Sequence, residues 1–368
     1  MNILFYVSLF LLFIVVLRFI IAFLNFLSRP ILPNGQPIGT PLVSVLIPAR
    51  NEEFNIGKLL DGILNQSYKQ IEVIVYNDQS TDQTAEIIDD YIAKDSRVST
   101  IVGHELPKGW LGKNYGCYRL AHAAKGDYLI FLDADVKVSS TFVQNALAYS
   151  QRKRLVLLSM FPRQELVSFG EKLVVPTMNW ILLSMLFLRL VRWSKRRSLA
   201  AANGQMMMFD AKVYQEQQWH EKVKSSPVED ISISRLIKRQ KLRMATLLGT
   251  NDVSCRMYDS YSHAITGFTK NVTAFFGGSI FVTVLFLLIG TFSPFIVILG
   301  LPFPLVLLFF FCLISARMLI AKLSGQSPIA NLILWPLQHF AFIHLVFKAF
   351  FYSKNKNLKW KGRDIGKV

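Results

Sequence analysis

The sequence predicts an α/β domain with a mostly parallel sheet, carried between membrane segments. Three observations lead there. Strand-type and helix-type segments alternate regularly from residue 42 to residue 135. One strand-type run, Tyr128–Leu132, ends abruptly in two carboxylates, Asp133 and Asp135. Long apolar stretches flank the polar middle of the chain on both sides. Buried strands that alternate with helices build parallel sheets, and such sheets present ligand-binding turns at the carboxyl ends of their strands.

Composition agrees with a mixed chain. Of 368 residues, 52% are hydrophobic and 18% charged, with a mean hydropathy of +0.35. That is too apolar for an ordinary soluble enzyme and too charged for a pure helical membrane bundle. The net charge is +17 and the pI about 9.8. The basic residues cluster beside apolar segments, so an anionic membrane surface and the positive-inside rule account for them better than nucleic acid does. Cys117, Cys255 and Cys312 are scattered and form no C-x-x-C pair, which argues against disulfides and a zinc site. His339 and His344 stand five apart and fall on different helix faces.

Taken in order, residues 1–29 read as an uncleaved anchor whose apolar run is interrupted by Arg18 and Asn25. The length suits a span of about 20 residues. A cleaved signal peptide would need a basic start and a small-residue cleavage site, and neither is seen. Arg29 at the far end places that side, and the catalytic domain after it, in the cytoplasm. Residues 30–41 are a linker rich in proline and glycine. Strands are expected at Leu42–Ile47, Ile71–Tyr76, Val98–Val102 and Tyr128–Leu132. Helices are expected at Glu53–Gln66, Gln83–Lys94 and Tyr115–Ala124. The domain is taken to run to residue 270. Within it, residues 173–191 read as an interfacial helix, with a membrane span or a buried core helix as alternatives. Residues 271–323 hold no charge before Arg317 and are broken at Pro294 and Pro302, which predicts a transmembrane hairpin. Residues 324–352 form a third membrane or interfacial segment, and residues 353–368 a basic tail.

Four features join Asp133 and Asp135. Pro48-Ala49-Arg50-Asn51-Glu52-Glu53 follows the first strand. Asn77-Asp78-Gln79-Ser80-Thr81-Asp82 follows the second, where Asp78 can accept hydrogen bonds from a nucleoside and Ser80 or Asp82 can cap the next helix. Pro107-Lys108-Gly109-Trp110-Leu111-Gly112-Lys113 is a glycine-bracketed loop with two lysines, read either as a phosphate-closing loop or as a charged surface turn. Glu229-Asp230 offers a carboxylate pair, as a general base or as a helix cap. Two acids at a strand end suit a hard cation, Mg²⁺ or Mn²⁺, held against a diphosphate.

Together these motifs resemble the family-two glycosyltransferases of GT-A fold, a Rossmann-like nucleotide-diphospho-sugar transferase fold. There P-x-x-N-E, D-x-S-x-D, D-x-D and E-D occur in this order. The resemblance implies that Pro48, Ala49, Asn51, Glu52, Asp78, Lys113, Asp133 and Arg256 hold a nucleotide-sugar donor. It implies that Asp135 ligates the metal, and that Asp230, supported by Glu229, deprotonates the acceptor. It further implies an inverting single displacement. The segments around Gly109–Lys113, Asn203-Gly204-Gln205, Arg256-Met257-Tyr258, Gly267–Asn271 and Trp360-Lys361-Gly362-Arg363 are similar to a membrane-bound branch that glycosylates carotenoids and other isoprenoid lipids. That likeness puts Trp110, Asn203 and Gly204 on the acceptor side. It implies transfer of one sugar, with UDP-glucose as the expected donor, to a hydroxyl or carboxyl of a membrane lipid. Polyprenyl phosphate, diacylglycerol and hopanoid lipids are the alternative acceptors. The Q-x-x-R-W of processive synthases is absent. A phosphatase of haloacid-dehalogenase type normally carries its D-x-D on the first strand of its domain, unlike this chain. A non-catalytic membrane adaptor would have no need for the full set of acids.

Overall fold

The computed structural model of the chain describes residues 3–269 and 271–355, together with the pairs 359–360 and 363–364. Of the positions singled out above, Lys270, Lys361 and Gly362 lie outside the described residues, and no side chain is described beyond Phe351. The chain divides into two compact units. One holds Ile31–Arg163 and Arg189–Arg256, with the final residues, and the other holds Met1–Pro30, Gln164–Leu188 and Met257–Lys356.

The first unit is built on a sheet. Its strands are β1 (Val43–Ala49), β2 (Ile71–Asn77), β3 (Val98–Val102), β4 (Tyr128–Leu132), β5 (Val136–Val138), β6 (Leu157–Phe161), the two-residue β7 (Arg163–Gln164), β8 (Met206–Asp210), β9 (Met244–Leu248) and β10 (Val253–Cys255). Seven of them form one sheet in the order β3-β2-β1-β4-β8-β6-β9. β1 to β4 are mutually parallel, β8 runs antiparallel to β4 and β6, and β6 is parallel to β9. β-branched and long aliphatic residues fill the strands, and Val43, Val45, Ile47, Val73, Val75, Leu129 and Ile130 are fully or almost fully buried. Such two-sided burial is what a sheet covered on both faces requires. Helices Ile56–Leu64, Thr84–Lys94 and Gly112–Ala123 make the crossovers between the parallel strands.

Because β8 is antiparallel, its amino end lies beside the carboxyl end of β4, with Leu132 opposite Met206. The turn 203–205 therefore opens on the same rim as Asp133. β10 pairs with β5 and sets Cys255 opposite Val136, next to Asp135.

The second unit is helical. Ile3–Ser28, Ile280–Gly300 and Phe303–Leu323 are long and apolar enough to cross a membrane. Leu11, Leu12, Val15, Val297, Phe309, Cys312 and Leu313 pack between them. Ser8 and Gly300 meet so closely that a Cβ at Gly300 would lie 2.0 Å from Ser8 Oγ. The outward faces carry Phe10, Phe13, Phe281, Phe295, Leu299 and Phe311, all exposed. A bilayer solvates such a surface and water does not.

Two boundaries differ from the sequence reading. The sheet unit ends at Arg256 instead of residue 270, since Tyr258, Ala264, Ile265 and Phe268 pack among Ala341, Phe342 and Leu345 of the helical unit. The stretch 173–191 is not one helix. Phe169–Val174 and Pro176–Met185 meet at Val175, because Pro176 has no N–H to continue the first helix, while Arg189–Trp193 is a separate helix of the sheet unit. Val174, Val175 and Ile181 are core residues of the helical unit. The third segment splits into Pro328–Ile333 and Trp335–Asn355. On the latter, His339 meets Thr291 Oγ1 and His344 meets Tyr261, on different faces as their spacing requires.

Candidate active site

The first two motif turns are laced together at the ends of β1 and β2. Ala49 pairs with Asn77, and the N–H of the buried Asp78 donates to Ala49 O at 2.8 Å. Arg50 donates to Asp78 O at 2.6 Å. Asn51 N–H donates to Ser80 Oγ, Asn51 Oδ1 accepts from Thr81 N–H, and Glu52 N–H donates to Thr84 Oγ1. Asn51 and Gln79 adopt the left-handed backbone that such tight turns need. Asp82 is a brace that accepts from Glu53 N–H, Thr84 N–H and Thr84 Oγ1. Its carboxyl lies below the usual value because those bonds outweigh the opposing effect of burial. The Asn51 side chain, expected on the donor, is thus engaged by the turn itself.

The second half of the site is assembled around Lys113, at the start of helix Gly112–Ala123. Its Nζ lies 2.7 Å from Asp133 Oδ1, 3.1 Å from Glu229 Oε1 and 3.3 Å from Gly204 O. Expected on a phosphate, Lys113 joins the D-x-D turn to the E-D turn. Asp230 is fastened to the same turn, with Oδ2 accepting from Gly204 N–H at 2.9 Å and Oδ1 from Ile231 N–H at 2.7 Å. Glycine at position 204 leaves room for this approach. A Cβ there would lie 2.8 Å from Glu229 Oε1 and 3.2 Å from Lys113 Nζ.

Burial and the neighbouring Glu229 push the Asp230 carboxyl up to about 7, against the two N–H bonds. Asp135 is pushed up to about 6 by burial and by Asp133, with Glu52 adding to the effect. Glu52 is thereby an electrostatic neighbour of both D-x-D acids. Lys113 stays charged, because Asp133 and Glu229 more than offset its burial.

Two acceptor atoms in this region have no partner among the described residues. Asp135 Oδ1 and Gln205 Oε1 are buried and accept no hydrogen bond. Gln205 Nε2 donates to Cys255 Sγ at 2.9 Å, and Cys255 in turn bonds the Asp135 carboxylate. Bare carboxylate and amide oxygens are what a hard cation takes, so the residues present fit Mg²⁺ or Mn²⁺. No three His, Cys, Asp or Glu side chains converge among the described residues. A cation would therefore complete its shell with phosphates and water.

The remaining expected residues are placed as follows. Trp110 packs on Tyr115 and Tyr118. Asn203 is buried, and its Oδ1 accepts from Gln205 N–H, which shapes the turn. Pro48 is the penultimate residue of β1. Arg256 is exposed, directly after β10. Two contributors went unread in the sequence. Cys255, one of three scattered cysteines, carries no ligand spacing in the sequence. The buried Asn114 donates to the carbonyls of Val223, Lys224 and Ser226 and so holds the approach to Glu229-Asp230. Its adjacency to Lys113 was the available signal.

Comparison with known proteins follows the same lines. The model of glycosyl transferase family 2 matches residues 44–216. The 4,4'-diaponeurosporenoate glycosyltransferase of Staphylococcus haemolyticus is 32% identical over 244 residues, which are 63% of this chain and 61% of that protein. The enzyme of the same name from Staphylococcus aureus strain USA300 is 42% identical over 94 residues, 26% of this chain and 24% of its own. The chain thus spans about three fifths of the first relative's length. A mannosyltransferase of Pyrobaculum calidifontis, solved with GDP-Man and Mn²⁺, superposes with a TM-score of 0.54 over 95% of this chain and 98% of its own, at 17% identity, which is a likeness of fold. Given the strand order, the antiparallel β8 and the matched span, the chain carries a glycosyl transferase family 2 domain of GT-A-like fold.

Proposed function

We propose that this chain transfers a single sugar from a nucleotide sugar, with UDP-glucose as the expected donor, to a hydroxyl or carboxyl of a membrane lipid, an isoprenoid of carotenoid type. One observation carries the reading. Through Lys113 and Gly204, the acids that suit the donor and the acid that suits the acceptor share one hydrogen-bonded network.

In this mechanism Asp78 and Asp133 hold the nucleoside end of the donor, beside Ala49 and Glu52, and Arg256 reaches a phosphate. Asp135 would hold Mg²⁺ or Mn²⁺, with Gln205 Oε1 as a further donor. Such a cation, when bound, offsets the charge of the departing diphosphate. Asp230 takes the proton of the acceptor as its oxygen attacks the anomeric carbon from the face opposite the leaving group, which inverts that centre. A carboxyl near 7 is well matched to that task at neutral pH. Glu229 and Lys113 keep Asp230 oriented, and the crowding at Gly204 keeps the network tight.

The apolar helices and the names of the relatives support a lipid acceptor. Exposing a polyisoprenoid to water costs about 0.8 kcal/mol per CH₂, so transfer at the membrane surface is favoured. Basic residues at the helix ends support a cytoplasmic catalytic unit under the positive-inside rule. Membranes bearing the protein, incubated with labelled nucleotide sugars and Mg²⁺ or Mn²⁺ and then extracted, should yield a labelled lipid with one sugar. Asp230→Asn and Asp135→Asn should give none. Normal product from both variants would refute the mechanism, and labelled polyprenyl phosphate, diacylglycerol or hopanoid would reassign the acceptor.

A further inference from the structure

Two arginines of the helical unit lie within candidate membrane-spanning helices, Arg18 in Ile3–Ser28 and Arg317 in Phe303–Leu323. Both guanidinium groups stand over the ring of Trp180, at 4.5 and 5.3 Å from its centroid. Arg18 also lies over Phe286 and Arg317 over Trp335. Their hydrogen-bond partners are all neutral. Arg18 Nε and Nη2 both donate to Ser184 Oγ, at 3.2 and 2.8 Å. Arg317 Nε donates to Asn331 O at 3.2 Å, and its Nη2 donates to Gln338 Oε1.

A guanidinium has five N–H donors, and its usual partner is a carboxylate or a phosphate taken by two of them. Neither arginine has an ion pair among the described residues. Of the three acids in this unit, Glu165, Glu171 and Asp259, Glu171 is committed to the capping box with Ser168 and Asp259 to His263. Two like charges thus share one aromatic ring in an apolar helical bundle. Charges within membrane helices are costly and mark sites of function.

Their setting identifies the ligand. Phe26 lies under Lys322, so the carboxyl ends of the two helices lie together. Arg18 is about 15 Å from its helix end and Arg317 about 9 Å, at 1.5 Å per residue. Within apolar helices the anion at hand is that of a lipid, drawn toward the buried cations by local thinning of the bilayer. We propose that Arg18 and Arg317, framed by Trp180, bind the anionic headgroup of one membrane lipid through its phosphate or carboxylate. The two forks take the anion, Ser184 and Gln338 orient them, and the exposed apolar faces beside them receive the acyl or prenyl chain. This does not depend on the sugar chemistry.

The test uses the full chain in detergent, with phosphatidylglycerol, oleate, phosphatidylcholine or inorganic phosphate added, and reads bound lipid by native mass spectrometry and Tm by thermal unfolding. Phosphatidylglycerol or oleate should be retained one per chain and should raise Tm, while phosphatidylcholine and inorganic phosphate should do neither. Arg18→Gln and Arg317→Gln should each weaken retention about tenfold or more. Arg18→Lys and Arg317→Lys keep the charge but lose the fork, so they should retain less lipid than the unaltered chain and more than the glutamine variants, and serve if the latter do not fold. Equal retention of phosphatidylcholine, retention unchanged in the folded double glutamine variant, or a Tm rise from inorganic phosphate equal to that from lipid would each overturn the proposal.

Discussion

Each unit of this protein sequesters a cluster of charge, and the two clusters are balanced differently. In the sheet unit the ammonium of Lys113 stands between Asp133 and Glu229, within 3.1 Å of both. In the helical unit Arg18 and Arg317 touch only a hydroxyl, a carbonyl, an amide and aromatic rings. In the first cluster the ammonium is met by carboxylates of the same chain. The second leaves its charge to be met from outside.

Substitutions at the two clusters should therefore behave in opposite ways. The largest effect is expected from Asp230→Asn, which should lower kcat by about 10²–10⁴-fold by removing the general base. In the unaltered protein kcat/KM should rise with pH through about 7, as the raised Asp230 carboxyl loses its proton. Stability runs the other way. The folded protein keeps that proton between the ordinary carboxylate value and about 7, so folding weakens as pH rises through this window. Asp230→Asn should thus raise Tm at pH 8 and leave it unchanged at pH 4, the gain being on the order of 1 kcal/mol after allowance for partial exposure.

Next in size, Lys113→Met strands two carboxylates and should cost about 2 kcal/mol, less than for a fully buried pair because Lys113 is about a third exposed. Arg18→Met removes a charge that has no anionic partner among the described residues, and in phosphatidylcholine membranes it should leave Tm unchanged or higher. Equal losses from the two substitutions would erase the contrast. Gly204→Ala should slow transfer on the order of tenfold, because Glu229 and Lys113 must shift to admit the methyl. A last pair of substitutions concerns two buried asparagines, one in each unit. Asn114 holds three carbonyls, and Asn25 holds Leu183 O, Leu186 O and Leu188 N–H. Alanine at either should lower stability by about 2 kcal/mol, read from denaturant midpoints.

Much of the sheet was legible because its strands are unbroken apolar runs between turn residues. Val98–Val102 and Tyr128–Leu132 lie where their composition puts them. The antiparallel direction of β8 was not legible, since a buried strand such as Met206–Asp210 has the same pattern in either sense. The motif acids could be located on turns, but the partner of Lys113 could not be chosen. Asp133 and Glu229 are 20 and 116 residues away, and only the fold brings them to 2.7 and 3.1 Å from it. Asn114 eluded the reading for the same reason, with acceptors more than 100 residues distant. Arg18 and Asn25 were both visible as polar interruptions of an apolar run. Their fates diverge, for Asn25 finds a full set of backbone partners and Arg18 does not.

The clasp made by Asn114 has a kinetic corollary. It ties residues 223–226 to the first turn of the helix that presents Lys113. A donor that settles on that turn also bears on the strap leading to Asp230, so donor binding and the place of the base are coupled. Turnover should then follow a compulsory sequence, donor before acceptor, visible as product inhibition by the nucleoside diphosphate that competes with the donor alone. The lipid alone should bind weakly, and more tightly once the nucleoside diphosphate is present.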